Sequence, residues 1–192
     1  KKDVLNDEND NNIKNDGKCL YLLLKTWWVM KSKTRLFEVE KQPLPFSKTD
    51  WEYCNSLLEK LFFIGDLYQS ATTLYLKAIS EFHLNQIRSS LETFKRLDVE
   101  SDFSSYGRRR IVKSYVASTP EGKPKLFRGE VKRSVSLLKN DKSGEIYVSE
   151  LKEIIPFTLS EFNKSEYQEG EVITNFFIGF NFRGPIAIPV RV

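Results

Sequence analysis

The 36 residues from Gly107 to Lys142 hold eleven Lys or Arg side chains against three acidic ones, Glu121, Glu130 and Asp141. The local net charge is +8 in a chain whose total is +4, so everything else sums to −4. Charge concentrated this way attracts an anionic partner: a phosphate backbone, an acidic protein surface or an anionic lipid surface. The sharpest cluster is Arg108, Arg109 and Arg110, followed by Lys113 and then by Lys132 and Arg133. Tyr106 and Tyr115 lie beside the arginines, a combination in which cations hold phosphates while aromatic rings stack on bases. On a regularly alternating strand Lys132 and Arg133 point to opposite faces, which splits the charge. Lysines on a sheet edge also serve to block unwanted strand pairing.

Other chemistry finds less support. Two cysteines, Cys19 and Cys54, and one histidine, His83, supply too few ligands for a structural zinc site and no disulfide framework, so no metal or cofactor is expected. His83 sits within an apolar helical stripe between Phe82 and Leu84, where it reads as a packing residue rather than the base of a nucleophilic pair. Lys139 to Glu150 has the glycine of a calcium loop at Gly144, yet its first ligand position is a lysine, so a hairpin turn is the better reading. No glycine-rich phosphate loop occurs, no small-molecule substrate is indicated, and no catalytic residue is assigned. Lys132-Arg133-Ser134-Val135-Ser136 places two hydroxyls after a basic pair, where phosphorylation would cancel positive charge.

The elements that must position these groups change character along the chain. Residues 1 to 17 are rich in Asn and Asp, with Val4, Leu5 and Ile13 their only aliphatic residues, and read as a flexible tail or linker. The chain opens on Lys1 and reads as a piece of a longer intracellular protein, nuclear or cytoplasmic. Residues 18 to 192 read as one domain, helical over 18 to 97 and strand-rich over 108 to 192. Forty per cent apolar and 13 per cent aromatic residues are enough for a packed core. The run from Cys19 to Met30, interrupted by Lys25, is too short to span a bilayer and reads as a buried element, so membrane contact is expected only through surface charge.

Arg35 to Glu40 alternates as a short strand. Thr49-Asp50-Trp51-Glu52 fits a capping box, predicting a helix from near Asp50 to the break at Gly65-Asp66. Leu67 through Phe94 continues apolar spacings of three and four, completing a helical hairpin. With Gly65-Asp66 at its turn and Lys77-Ala78-Ile79 near its end, this hairpin resembles a single tetratricopeptide unit. The expected Trp and closing Pro are missing, and no sister unit follows at the period of about 34 residues.

Beyond Gly107 the strand pattern dominates: Arg110 to Ala117, a turn at Thr119 to Pro124, a long alternating segment through Val131 and Val135, then Glu145 to Val148. Leu151 to Phe162 suggests a short helix and turn. Glu171 to Phe182 and Ile186 to Val192 follow as strands, the last placed at an edge by Pro189 and open to a partner's strand. The expected fold is α+β, an N-terminal helical hairpin packed on a largely antiparallel sheet formed by the C-terminal half.

The expected function is a non-catalytic scaffold or regulatory domain. It would present the hairpin or sheet edge to a protein partner, with the basic segment steering toward an acidic surface. The alternative is a nucleic-acid-binding domain using the basic segment from Arg108 to Lys142. A third class is an enzyme with an unrecognised carboxylate-based site.

Overall fold

The computed structural model describes residues 4–33, 42–65, 70–100, 115–137, 143–162 and 164–190. The fold is mixed α+β, with helices in the N-terminal half and strands in the C-terminal half. Two compact units emerge, one of Lys1–Glu38 with Pro45–Asp102, the other of Val39–Leu44 with Phe103–Val192. Their junction coincides with the passage from 3.6-residue to two-residue periodicity, whereas the sequence reading takes residues 18 to 192 as one domain.

Among the described residues the helical unit holds four helices: α1 (Val4–Ser32), α2 (Lys48–Ile64), α3 (Ala71–His83) and α4 (Ile87–Glu100). Helix α1 runs back through the stretch expected to be a flexible tail. Once a helix has nucleated, each added residue gains a hydrogen bond without a new nucleation cost, so a polar sequence can extend it. Leu24, Trp27 and Trp28 of α1 are buried against Phe46 and Trp51, with ring centroids 4.9 to 6.5 Å apart. Burial covers one side only. Leu22, Leu23, Val29 and Met30 are exposed, contrary to the expectation of an element enclosed on most sides.

The capping box exists, two residues earlier than the sequence suggests. Ser47 is the N-cap of α2 and Asp50 its reciprocal partner: the Asp50 amide donates to Ser47 Oγ at 3.3 Å, and the Ser47 amide donates to Asp50 Oδ2 at 3.0 Å. Asp50 also binds Lys31 Nζ at 2.8 Å, which ties the end of α1 to the start of α2. Helix α2 ends at Ile64, with Gly65 as its C-cap, where the break is expected. The stretch expected as one second helix is two. Asn85 adopts a left-handed conformation, φ 62°, and reverses the chain between α3 and α4. Asparagine tolerates that conformation because its short amide can bond locally.

The second unit is a sheet closed on itself. Its strands are β1 (Gln42–Pro43), β2 (Tyr115–Val116), β3 (Phe127–Arg133), β4 (Val135–Ser136), β5 (Ser143–Val148), β6 (Glu153–Thr158), β7 (Glu166–Tyr167), β8 (Val172–Asn181) and β9 (Gly184–Pro189). The hydrogen-bonded order is β8-β3-β5-β6-β9, and β9 returns to β8 over six residue pairs, so five strands form a ring. All ring pairings are antiparallel except β6 with β9, joined in parallel at Phe157 and Ala187. An open sheet was expected, with its last strand at an edge. Instead β9 is paired on both sides, and the edge lies at β1, where Pro43 lacks an amide to offer a further strand.

Closure requires bends, and the ring supplies them. On β3, two steps from Val131 to Arg133 oppose one step from Ile146 to Glu145, a bulge at Lys132. On β8, Ile173 to Phe176 opposes Gly129 to Phe127, with Asn175 in left-handed conformation at φ 59°. Such bulges raise local twist and bend the strand, which is how a short sheet curls shut. Gly129 is compulsory by packing: a Cβ there would meet Ile146 Cγ2 at 2.2 Å and the Tyr147 carbonyl oxygen at 2.7 Å. Inside the ring, Val131, Ile146, Ile155, Phe157, Phe176, Ile178 and Ala187 are buried.

Leu151 to Phe162 is strand β6 followed by a 3₁₀ turn over Leu159–Glu161, not a helix first. Six registered pairs with β5 override the helical propensity of Leu-Lys-Glu. The strand expected at Arg35 to Glu40 lies outside the described residues, as does most of Arg110 to Ala117, of which Tyr115–Val116 is seen as β2. Among the described residues, no helix is long and apolar enough to cross a membrane.

Candidate nucleic-acid interface

Alternation along β3, β5 and β6 turns one set of side chains into the ring and the other set out. Register then aligns the outward set. Val172 on β8 pairs with Glu130 on β3, Glu130 with Tyr147 on β5, and Tyr147 with Ile154 on β6. Four adjacent strands thus present one continuous row, Val172, Glu130, Tyr147 and Ile154. Val172 and Ile154 are about half exposed, at 50% and 51%, and Tyr147 is half-buried with its ring on the surface. An aromatic with a solvated aliphatic beside it on a rigid sheet costs little ordering entropy when a planar ligand settles on it.

Lys132 completes the row. Because it occupies the bulge, it does not alternate with Arg133, and both side chains are exposed, correcting the expectation that they split between faces. Lys132 Nζ lies 2.6 Å from Glu130 Oε1 and 5.6 Å from the centre of the Tyr147 ring. The hydrogen bond to Glu130 and its negative charge hold the ammonium pKa above the usual lysine range, so Lys132 is a permanent cation at neutral pH. Arg133 donates to the Ser143 carbonyl at 2.5 Å. Arg128, two positions before Glu130 on β3, is exposed.

Of the residues singled out from sequence, Lys132 and Arg133 are thus placed together on the barrel. Tyr115 lies on β2 at the edge that continues β3 alongside β8. Tyr106, Arg108, Arg109, Arg110 and Lys113 lie outside the described residues. Sequence reasoning passed over Tyr147 and Ile154. The available signal was the period-two pattern Glu145-Tyr147 against Gly144-Ile146, and the matching Ile154-Pro156 against Ile155-Phe157.

Comparison with protein-family models, curated proteins and solved structures finds no match.

The remaining candidate groups are absorbed by packing. His83 stacks on Trp51 at 4.1 Å between ring centres, and its Nδ1 lies 2.9 Å from the Ile79 carbonyl. Cys54 is fully buried, and desolvation pushes its thiol up to about 12 against the opposing pull of Lys77, so it stays protonated and inert. Ser136 is buried on β4, while Ser134 is exposed and its Oγ accepts from the Glu169 amide at 2.9 Å. No cluster of His, Cys, Asp or Glu that could hold a metal ion occurs among the described residues.

Proposed function

We propose that the barrel binds single-stranded nucleic acid on the outer face of β3, β5 and β6. The observation that carries this reading is the row Val172, Glu130, Tyr147 and Ile154 with Lys132 held over the Tyr147 ring. Small five-stranded Greek-key barrels of the oligonucleotide- and oligosaccharide-binding kind use the face of their second and third strands, here β5 and β6, for such ligands. Architecture alone does not set function, so the weight rests on the side chains. A base stacks on Tyr147, flanked by Ile154, and Lys132 leaves Glu130 for the adjacent phosphate. Arg128 and the basic cluster Arg108 to Arg110 with Lys113 add electrostatic attraction. A nuclear or cytoplasmic setting goes with such a ligand and with two free cysteines.

The test is fluorescence anisotropy with labelled single- and double-stranded DNA and RNA at two salt concentrations. Single strands should bind more tightly than duplexes, and affinity should fall with salt. Tyr147→Ala should weaken binding by roughly 5- to 100-fold, the range of a lost base stack. No binding at low salt, or binding indifferent to Tyr147→Ala, overturns the assignment.

A second reading, a scaffold or regulatory domain for a protein partner, draws support from the helical unit. There α1 leaves the apolar residues Leu22, Leu23, Val29 and Met30 exposed.

A further inference from the structure

The β8–β9 hairpin turns on two residues, Phe182 and Arg183, between the paired Asn181 and Gly184. The Arg183 amide donates to Asn181 Oδ1 at 2.8 Å, and Gly184 takes a positive φ of 129° that a side chain would resist. Phe182 is buried. Arg183 is exposed, its guanidinium carbon 5.4 Å from the centre of the Phe182 ring. No carboxylate pairs with that guanidinium among the described residues. A planar cation braced on an aromatic ring keeps its forked donors for a ligand and loses less freedom in binding one.

Register sets this turn at the end of the row on the outer face. Strands β6 and β9 run parallel through Phe157 and Ala187, and three residues back along both of them Gly184 comes beside Ile154. Arg183 therefore stands where the row Val172, Glu130, Tyr147 and Ile154 passes onto β9, with Lys132 on the other side of Tyr147. Lys152, immediately before β6, is also exposed and without an acidic partner among the described residues. Of the carboxylates around it in the chain, Glu150 binds Lys125 and Glu153 is half-buried. From β3 to β9 there are three interstrand steps, about 14 Å along the surface. At the stacked rise of about 3.4 Å per nucleotide that span covers about four nucleotides, and fewer when the strand is extended.

We propose that Arg183 holds a second phosphate, so that a single strand lies across β3, β5, β6 and β9. Lys132 and Arg183 then contact non-adjacent phosphates on either side of the base at Tyr147. This rests on the reading of the barrel as a nucleic-acid binder and adds the path and length of its ligand.

The experiment uses the full 192-residue chain and fluorescence anisotropy with labelled oligothymidylates of two, four, six and eight nucleotides across a salt series. Affinity should rise between two and about four nucleotides as one strand reaches both cations, and Arg183→Gln should remove most of that rise. With the longest strand, Arg183→Gln should weaken binding roughly five- to tenfold at about 50 mM salt. It should also lower the slope of log affinity against log salt by about 0.7, the signature of one lost phosphate contact on a single strand. Arg183→Lys should restore the slope, because charge sets it, and both variants should keep the circular dichroism spectrum of the wild type. An unchanged slope, or an unchanged length dependence, in Arg183→Gln overturns the second phosphate site. The two readings fail separately. Binding that still depends on Tyr147 when Arg183 proves idle leaves the nucleic-acid reading standing, whereas no binding, or none that depends on Tyr147, removes both.

Discussion

The two units each contain a Lys–Glu pair bonded to a neighbouring polar group, and the pairs behave oppositely because of where they sit. In the helical unit Glu81 is buried and Lys77 half-buried among α2, α3 and α4. Lys77 Nζ reaches Glu81 at 3.2 Å, Glu59 at 3.1 Å and Asn55 Oδ1 at 3.0 Å. Glu81 accepts from Ser89 Oγ at 2.9 Å and Thr93 Oγ1 at 2.8 Å. Every charge is satisfied from several directions, and the network pins three helices in one register. On the barrel, Lys132 and Glu130 are partly solvated, and water competes for both. The buried pair is a fixed joint. The exposed pair is exchangeable, which a binding surface needs and a core cannot tolerate.

Glu81→Ala should break the comparison most forcefully. It takes one of three partners from Lys77 and removes the acceptor of the Ser89 hydroxyl and of the buried Thr93 hydroxyl, and the expected loss is about 2 to 4 kcal/mol of stability in a urea or thermal melt. Gly129→Ala comes next, forcing Ile146 and the Tyr147 carbonyl to yield, at about 1 to 3 kcal/mol by the same melts. Because Glu130 and Tyr147 flank that contact, ligand affinity should fall with it.

The Asp50 clamp between α1 and α2 has a smaller effect that depends on pH. Burial pushes the Asp50 carboxyl up, but hydrogen bonds from Lys31 and Ser47, and the Lys31 charge, outweigh it and hold the pKa below its ordinary 3.8. A depressed carboxylate stabilises the fold fully above the unfolded value, and that contribution is lost as pH falls through the folded one. The stability difference between wild type and Asp50→Asn should be constant at neutral pH and shrink below the ordinary value. A difference that grows on acidification contradicts the clamp. The smallest stability change is expected for Glu130→Gln, within about 0.5 kcal/mol. It should nevertheless raise nucleic-acid affinity a few-fold in the anisotropy assay, because Lys132 no longer has to leave a carboxylate. Weaker binding would mean that Glu130 contacts the ligand directly.

Particular residues show what could be read before the fold was known. The stripe from Leu74 through Phe82 and the alternation of Phe127 to Val131 both proved to be what they looked like, since each depends on neighbours within a few residues. Ser47 was missed as the cap because Thr49-x-x-Glu52 offers the same chemistry two residues later, and only the helix's true start distinguishes them. Lys132 and Arg133 were legible as charges but not as neighbours on one face. A bulge is a mismatch between two strands, and one strand's sequence holds half of it.

The sequence by itself determined that the N-terminal half is helical and the C-terminal half strand-rich, and where the charge concentrates, because propensity and periodicity are local. Tertiary structure alone decided that β9 returns to β8 to close a ring, that Tyr147 lies between Glu130 and Ile154, and that one apolar face of α1 is left uncovered. Those outcomes depend on pairings between residues far apart in the chain, where register, strand order and burial are settled by the packing of the whole unit.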